Sequence, residues 1–360
     1  MFAVSSKKIK LNIPVLFYIY FIFMLLLSLF WTVNFNNSFI HTIFVCLICV
    51  TIILFYFIIN DSLEKIEKFI YTIVIASILV NFRNFYFLVN DGINLRFGGV
   101  ADHPNGLALM SSTFAVINIV YLLLYKVSLN KKIIILFSLL LSLFFLIISG
   151  SRGSIISFVI FVFLACFSFS RIMNFKFILI SILTIFFTIL NISYIIEQPF
   201  VQRIILLPQA LGIDVFEYTP ISNEYRFAAE DSRIVLANIA ITKFLENPLT
   251  GYGINSFRYF SEYNYTHNNF LEILFSLGFF GVILFYLPLV IIFLHTFTLK
   301  NSSIDKYIKV LRALIVYYII SGMSIPNFQS KVQLFIVVLI LCFYSFIIKN
   351  KSIDIKLYKS

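Results

Sequence analysis

Charge is what this sequence has least of. Only 12% of its 360 residues are Asp, Glu, Lys or Arg, roughly half of what soluble domains carry. With 61% of residues hydrophobic and a mean hydropathy of +1.00, a water-soluble fold is excluded, because a chain this long could not hide so much apolar surface. Cysteine is scarce: Cys46, Cys49, Cys166 and Cys342 all fall in apolar runs, which excludes a disulfide framework. The C-x-x-C of Cys46 and Cys49 has no soluble redox fold around it and reads as packing. There is no repeat of fixed period and no low-complexity linker. No loop holds a carboxylate pair at metal-binding spacing, so no metal and no cofactor is expected.

What is present is long apolar runs. A spanning helix needs about 20 mostly apolar residues. Such runs are predicted at 13–31, 39–59, 69–89, 106–125, 133–149, 155–170, 177–196, 271–297, 310–325 and 332–348. The expected fold is therefore all-α: a polytopic membrane protein of about ten transmembrane helices. The ninth run is short, and Gly322 and Pro326 weaken its end. Lys7, Lys8 and Lys10 precede the first run, which is too long for a signal peptide and reads as an uncleaved anchor.

Placing the N-terminus in the cytoplasm puts 18 of the 27 basic residues on the cytoplasmic side, and both termini there. The two sides differ in kind. Sixteen of those 18 are Lys, whereas seven of the nine on the outer side are Arg. Lysine suffices for topology; arginine offers a planar fork that grips phosphate oxygens. The outer face is therefore expected to bind an anion, most simply a phosphate. Nucleic acid is not expected as a partner; membrane lipid is.

Three outer segments carry the polar chemistry. The first, NDGINLRFGGVADHPN, holds Arg96, a glycine pair, Asp102, His103 and the Pro104-Asn105 turn, with Asn105 as a candidate helix cap. The second, SGSRGS, sets Arg152 between two glycines where a helix begins, so free amides and the positive dipole end converge on it. The third is the long loop 197–266. Within it Ile234, Ala237, Ile241, Phe244 and Leu245 recur at helical spacing, Asp231 or Ser232 can cap that helix, Arg233 sits at its start, and Pro248 stops it. It reads as an amphipathic helix lying in the membrane interface. NPLTGYG then makes a tight turn toward Asn255, Arg258 and the aromatics Tyr252, Tyr259, Phe260, Tyr263 and Tyr265, which suit sugar rings. His267 opens the next span, where the positive end of the helix dipole disfavours imidazolium and leaves a usable base. His103 is a reserve candidate. His41 and His295 lie in or at the ends of spans with no polar company.

In this order, RFGGVADHPNGLA, SGSRGS, EDSR in the long loop, NPLTGYGINSF and THNNFLEILFSLGFFG resemble the O-antigen ligase and polymerase superfamily. The resemblance covers roughly residues 96–298. It implies N-terminal helices at 1–132, a catalytic region at 133–298 with its outer loop 197–266, and C-terminal helices and a cytoplasmic tail at 299–360. It implies an inverting, metal-independent glycosyltransferase at the outer face of the bacterial cytoplasmic membrane, polymerising oligosaccharide units carried on undecaprenyl pyrophosphate for O-antigen or capsule. A chain-length regulator and a flippase are implied companions. The family's arginines fall on Arg152, Arg233 and Arg96, and its histidine on His267; these hold the pyrophosphate and engage the acceptor hydroxyl. Asn105, Arg258, Tyr252 and Asn268 complete the expected substrate-binding set. Many members have an acidic residue before the glycine where this chain has Ser276-Leu277-Gly278, and Glu272 is the nearest substitute. Two alternatives stand: a ligase passing the glycan to lipid A–core, and a lipid-linked sugar transporter. Span centres almost without charge, Arg83 being the main exception, speak against the transporter.

Overall fold

The computed structural model describes residues 12–60, 62–91, 97–101, 103–168, 223–299 and 304–357. Arg96 and the run predicted at 177–196 lie outside them. The described chain is all-helical, as an integral membrane protein whose backbone must satisfy its own polar groups requires. Its helices are α1 (Ile13–Leu27), α2 (Phe35–Ile59), α3 (Leu63–Asp91), α4 (Pro104–Leu124), α5 (Leu129–Ile148), α6 (Arg152–Ser168), α7 (Asn223–Glu246), α8 (Asn269–His295), α9 (Asp305–Ser321) and α10 (Leu334–Leu357). Among the described residues six stretches are long and apolar enough to cross a membrane: those built on α1 to α5 and on α8. Two further apolar helices are shorter, Arg152–Ala165 and Leu334–Asn350.

α4 is the hub of the bundle, buried along most of its length against α3, α5 and α6. α9 packs on α6 and α10, α10 on α2, and α1 on α8. Polar side chains stitch α3, α4 and α5 together. Ser77 and Ser138 hydroxyls share a 2.5 Å hydrogen bond, Asn118 Nδ2 donates to Ser138 Oγ at 2.9 Å, and Asn81 Nδ2 donates to Ser142 Oγ at 3.1 Å. Away from water, each such bond contributes on the order of 1 kcal/mol to helix association. Cys46, Cys49 and Cys342 are buried packing residues.

Several local expectations change. α7 begins at Asn223, so Asp231 and Ser232 lie inside it and cannot cap it, and Arg233 stands in its third turn rather than at its start. The upstream stretch is rich in good helix formers, which extend a helix without needing an apolar stripe. α4 is capped by His103, not Asn105: His103 Nδ1 accepts the Asn105 amide at 3.2 Å. His41 and His295 do have polar company. His295 Nδ1 pairs with the Tyr344 hydroxyl at 2.8 Å, and His41 meets the Gln329 side chain.

The largest departure is in α8, expected as one straight span. Gly278 has φ 63° and ψ −160°, a conformation open essentially to glycine alone, and it folds α8 into two arms, 269–277 and 279–295. The bend breaks the helical hydrogen-bond ladder and orphans carbonyls on one arm and amides on the other. The NPLTGYG turn supplies both sets of partners. The amides of Tyr252 and Gly253 donate to the carbonyls of Phe275 and Ser276 at 3.0 and 2.8 Å, and the carbonyl of Pro248 accepts from the Phe279 amide at 2.8 Å. So close a fit needs glycine on both sides. A Cβ on Gly251 would strike the Phe275 carbonyl, and one on Gly278 the Leu249 carbonyl. The corner between α1 and α2 clamps the same segment: Trp31 Nε1 donates to the Thr250 carbonyl at 3.1 Å, and Ser38 Oγ to that of Ile254 at 2.7 Å.

Candidate functional site

The bend decides where His267 sits. Tyr286 follows Gly278 by eight residues, roughly 12 Å along the second arm. Asn269 nevertheless donates to the Tyr286 hydroxyl at 2.7 Å, because the first arm doubles back alongside the second. The start of α8 therefore lies beside Tyr286 on the second arm, away from the bend.

The floor is the turn between α9 and α10. Its Gly322 carbonyl accepts the Asn269 amide at 2.7 Å, and the Phe328 amide donates to Asn269 Oδ1 at 3.0 Å. Asn327 Nδ2 braces the turn from within, on the Tyr318 carbonyl at 2.6 Å and Ser321 Oγ at 3.0 Å. Two residues past Gly322, Ser324 receives the start of α6: a Cβ on Gly153 would meet the Ser324 Cβ at 2.6 Å. Arg152, the first residue of α6, is therefore set beside the same short turn that seats the His267 segment. The glycine of SGSRGS lets that helix end come down on the turn.

His267 precedes Asn268, whose side chain caps α8 by accepting the Phe270 and Leu271 amides at 2.9 and 3.2 Å. Its backbone is left-handed, φ 56°, a region few residues other than glycine adopt. The ring lies 4.4 Å, centre to centre, from Tyr265, 6.1 Å from Tyr263 and 6.5 Å from His103. The upstream HPN segment thus meets the HNN segment as a pair of imidazoles. Burial, and then the nearby Glu272 carboxyl group, push the Tyr265 phenol above its usual range, so it stays neutral beside His267.

The other expected residues lie on α4, on α7 and between α7 and α8. Arg233 is exposed on α7, one helical turn before Leu236, on the stripe that continues to Ala240. Leu236 and Ala240 cluster with Phe257 and Phe275, which ties α7 to the first arm of α8. Tyr252 belongs to this cluster: its ring stacks on Phe275 at 5.3 Å and its hydroxyl donates to Glu246 at 2.7 Å. Arg258 is exposed, and its charge acts on both Glu272 and His41. Asn105 is buried in the first turn of α4. Among the described residues no group of three His, Cys, Asp or Glu could hold a metal ion.

Sequence reasoning missed the Gly322–Asn327 floor. Its signal was a small polar and glycine-proline cluster between two apolar runs, read only as a weak helix end. It also missed what Glu272 does. Glu272 is fully buried and accepts the Thr266 amide at 2.8 Å, so it serves the turn that carries His267.

Residues 137–286 match the protein-family model described as O-Antigen ligase. No curated protein matches the chain. The matched stretch holds α6 with Arg152, α7, the interlocked turn and bend, and the His267 segment. Through these residues the chain resembles the O-antigen ligase and polymerase superfamily, whose members transfer glycosyl groups in membranes.

Proposed function

We propose that this protein is an inverting, metal-independent polysaccharide polymerase. It extends an oligosaccharide carried on undecaprenyl pyrophosphate at the outer face of the cytoplasmic membrane, for O-antigen or capsule. The observation that carries this reading is the turn at 322–328, against which both the Arg152 end of α6 and the start of α8 just after His267 pack.

In this reading Arg152 grips the donor pyrophosphate at the start of α6, where the positive end of the helix dipole favours an anion. Arg233 supplies a second fork, and Arg96 a third. Their charge offsets the negative charge that develops on the leaving pyrophosphate, the kind of preorganised electrostatic help that often dominates transfer chemistry. His267 takes the proton of the acceptor hydroxyl as that oxygen attacks the anomeric carbon from the face opposite the pyrophosphate. The glycosidic bond to phosphate breaks, its electron pair leaves with the pyrophosphate, and the configuration inverts. Tyr265 and Tyr263 flank the imidazole with faces that suit a sugar ring. A chain-length regulator and a flippase would be its partners.

The test is surface glycan from cells carrying Arg152→Ala, Arg233→Ala or His267→Ala, with membrane levels of each variant checked. Each is expected to abolish long-chain glycan while leaving single repeat units attached to their carrier. Full-length product from all three rejects the assignment. Lipid-linked polymer that accumulates without attachment would instead mark a ligase, the activity named in the description of the matched family.

A further inference from the structure

His267 is held in a strained backbone conformation by neighbours on both sides, and Glu272 anchors one of them. A non-glycine residue at φ 56° persists only where its surroundings over-determine it. After His267, Asn268 caps α8 through its own side chain, and Asn269 is locked to Gly322, Phe328 and Tyr286. Before it, Thr266 is fixed twice. Its hydroxyl donates to the Asn268 carbonyl at 2.8 Å and accepts the Asn268 amide at 3.3 Å, closing a small ring around His267. Its amide donates to Glu272 Oε2 at 2.8 Å, while Ser276 Oγ donates to Glu272 Oε1 at 3.5 Å. Glu272 is 1% exposed and Thr266 3%, so neither group of that bond has water to fall back on.

We propose that Glu272 is a positioning residue: its buried carboxylate fixes the Thr266 end of the turn, which aims the His267 imidazole between Tyr265 and His103. This rests on the role given to His267 above. The bond needs an acceptor, not a charge. A glutamine at 272 still offers a carbonyl to the Thr266 amide, and its amide can donate to Ser276 Oγ, which then turns to accept. An alanine leaves the Thr266 amide buried without a partner and the turn free to relax toward φ below zero.

The test compares Glu272→Gln and Glu272→Ala in the full-length protein in lipid nanodiscs, with two readouts. One is the rate of chain extension on lipid-linked oligosaccharide extracted from cells lacking the protein. The other is the rate at which diethyl pyrocarbonate modifies His267, followed by peptide mass spectrometry, with His295 as an internal reference. Glu272→Ala is expected to slow extension on the order of 100-fold, as a misaimed catalytic group does, and to change His267 modification without changing that of His295. Glu272→Gln is expected to stay within about fivefold of the native rate and to leave His267 modification unchanged. Glu272→Gln as inactive as Glu272→Ala at native thermal stability overturns the proposal, since the carboxylate would then act through its charge. Native His267 reactivity in Glu272→Ala overturns it too. If His267→Ala retains full extension while the modification pattern is as expected, the function assigned to His267 fails and the positioning by Glu272 stands.

Discussion

Asn269 hydrogen-bonds the hydroxyl of Tyr286, seventeen residues further along the same helix, at 2.7 Å. In a straight helix the two residues would be roughly 25 Å apart. The contact exists because α8 doubles back at Gly278, and Asn269 then ties the folded arm to the floor as well, accepting from the Phe328 amide. Asn269→Ala leaves the buried Phe328 amide unpaired and should cost about 2 kcal/mol, while Tyr286→Phe removes one acceptor and should cost about 1 kcal/mol. Thermal unfolding in detergent measures both. Equal and negligible losses would mean that the arms are held by packing alone.

Gly278→Ala should be far worse than an ordinary surface substitution. Its φ and ψ are closed to alanine, and the added methyl would strike the Leu249 carbonyl backbone, which cannot move without breaking the bond between Pro248 and Phe279. A cost of about 3 kcal/mol or more, or loss of the protein from the membrane, is expected. Gly106→Ala is the control. It sits in the first turn of α4, and its new methyl would meet the Ala101 side chain at 3.2 Å and the Ala101 carbonyl oxygen at 3.7 Å, with no closer backbone. Membrane yield and melting temperature should separate the two variants clearly.

His103 has two jobs that substitution can separate. Its Nδ1 caps α4 and its ring faces His267. Asparagine is a good helix cap, so His103→Asn should keep native thermal stability. If the second imidazole takes part in proton handling, glycan extension should still fall by about tenfold or more. Native extension in His103→Asn would reduce His103 to a cap.

Arg152→Lys tests whether the site reads phosphate geometry or only charge. Lysine keeps the positive charge but loses the planar fork, and its shorter reach from the start of α6 cannot bridge two oxygens. A drop in long-chain glycan of about tenfold or more is expected at unchanged membrane levels. Native glycan from Arg152→Lys would show that a point charge suffices.

Much of the molecule was legible in the sequence because its causes are local. A run of twenty apolar residues dictates a helix in lipid whatever surrounds it, and the starts of α6 and α8 followed from glycine, asparagine and the apolar runs behind them. The polar segments around Arg152 and His267 stood out as islands between those runs. Asn223 as the start of α7 was not legible, because its first turns have no apolar periodicity.

What only the tertiary structure decided is which distant segments meet around the candidate site. Gly278 looked like one more glycine in a spanning helix. It becomes a hairpin bend because Pro248 to Gly253, some thirty residues earlier in the chain, satisfy the backbone groups that the bend exposes. With α8 folded this way, Asn269 meets the Gly322 turn and His267 stands across from His103. Composition and periodicity report which residues each segment contains and which face each helix buries. They do not report which orphaned carbonyl finds which distant amide, and here that pairing assembles the site.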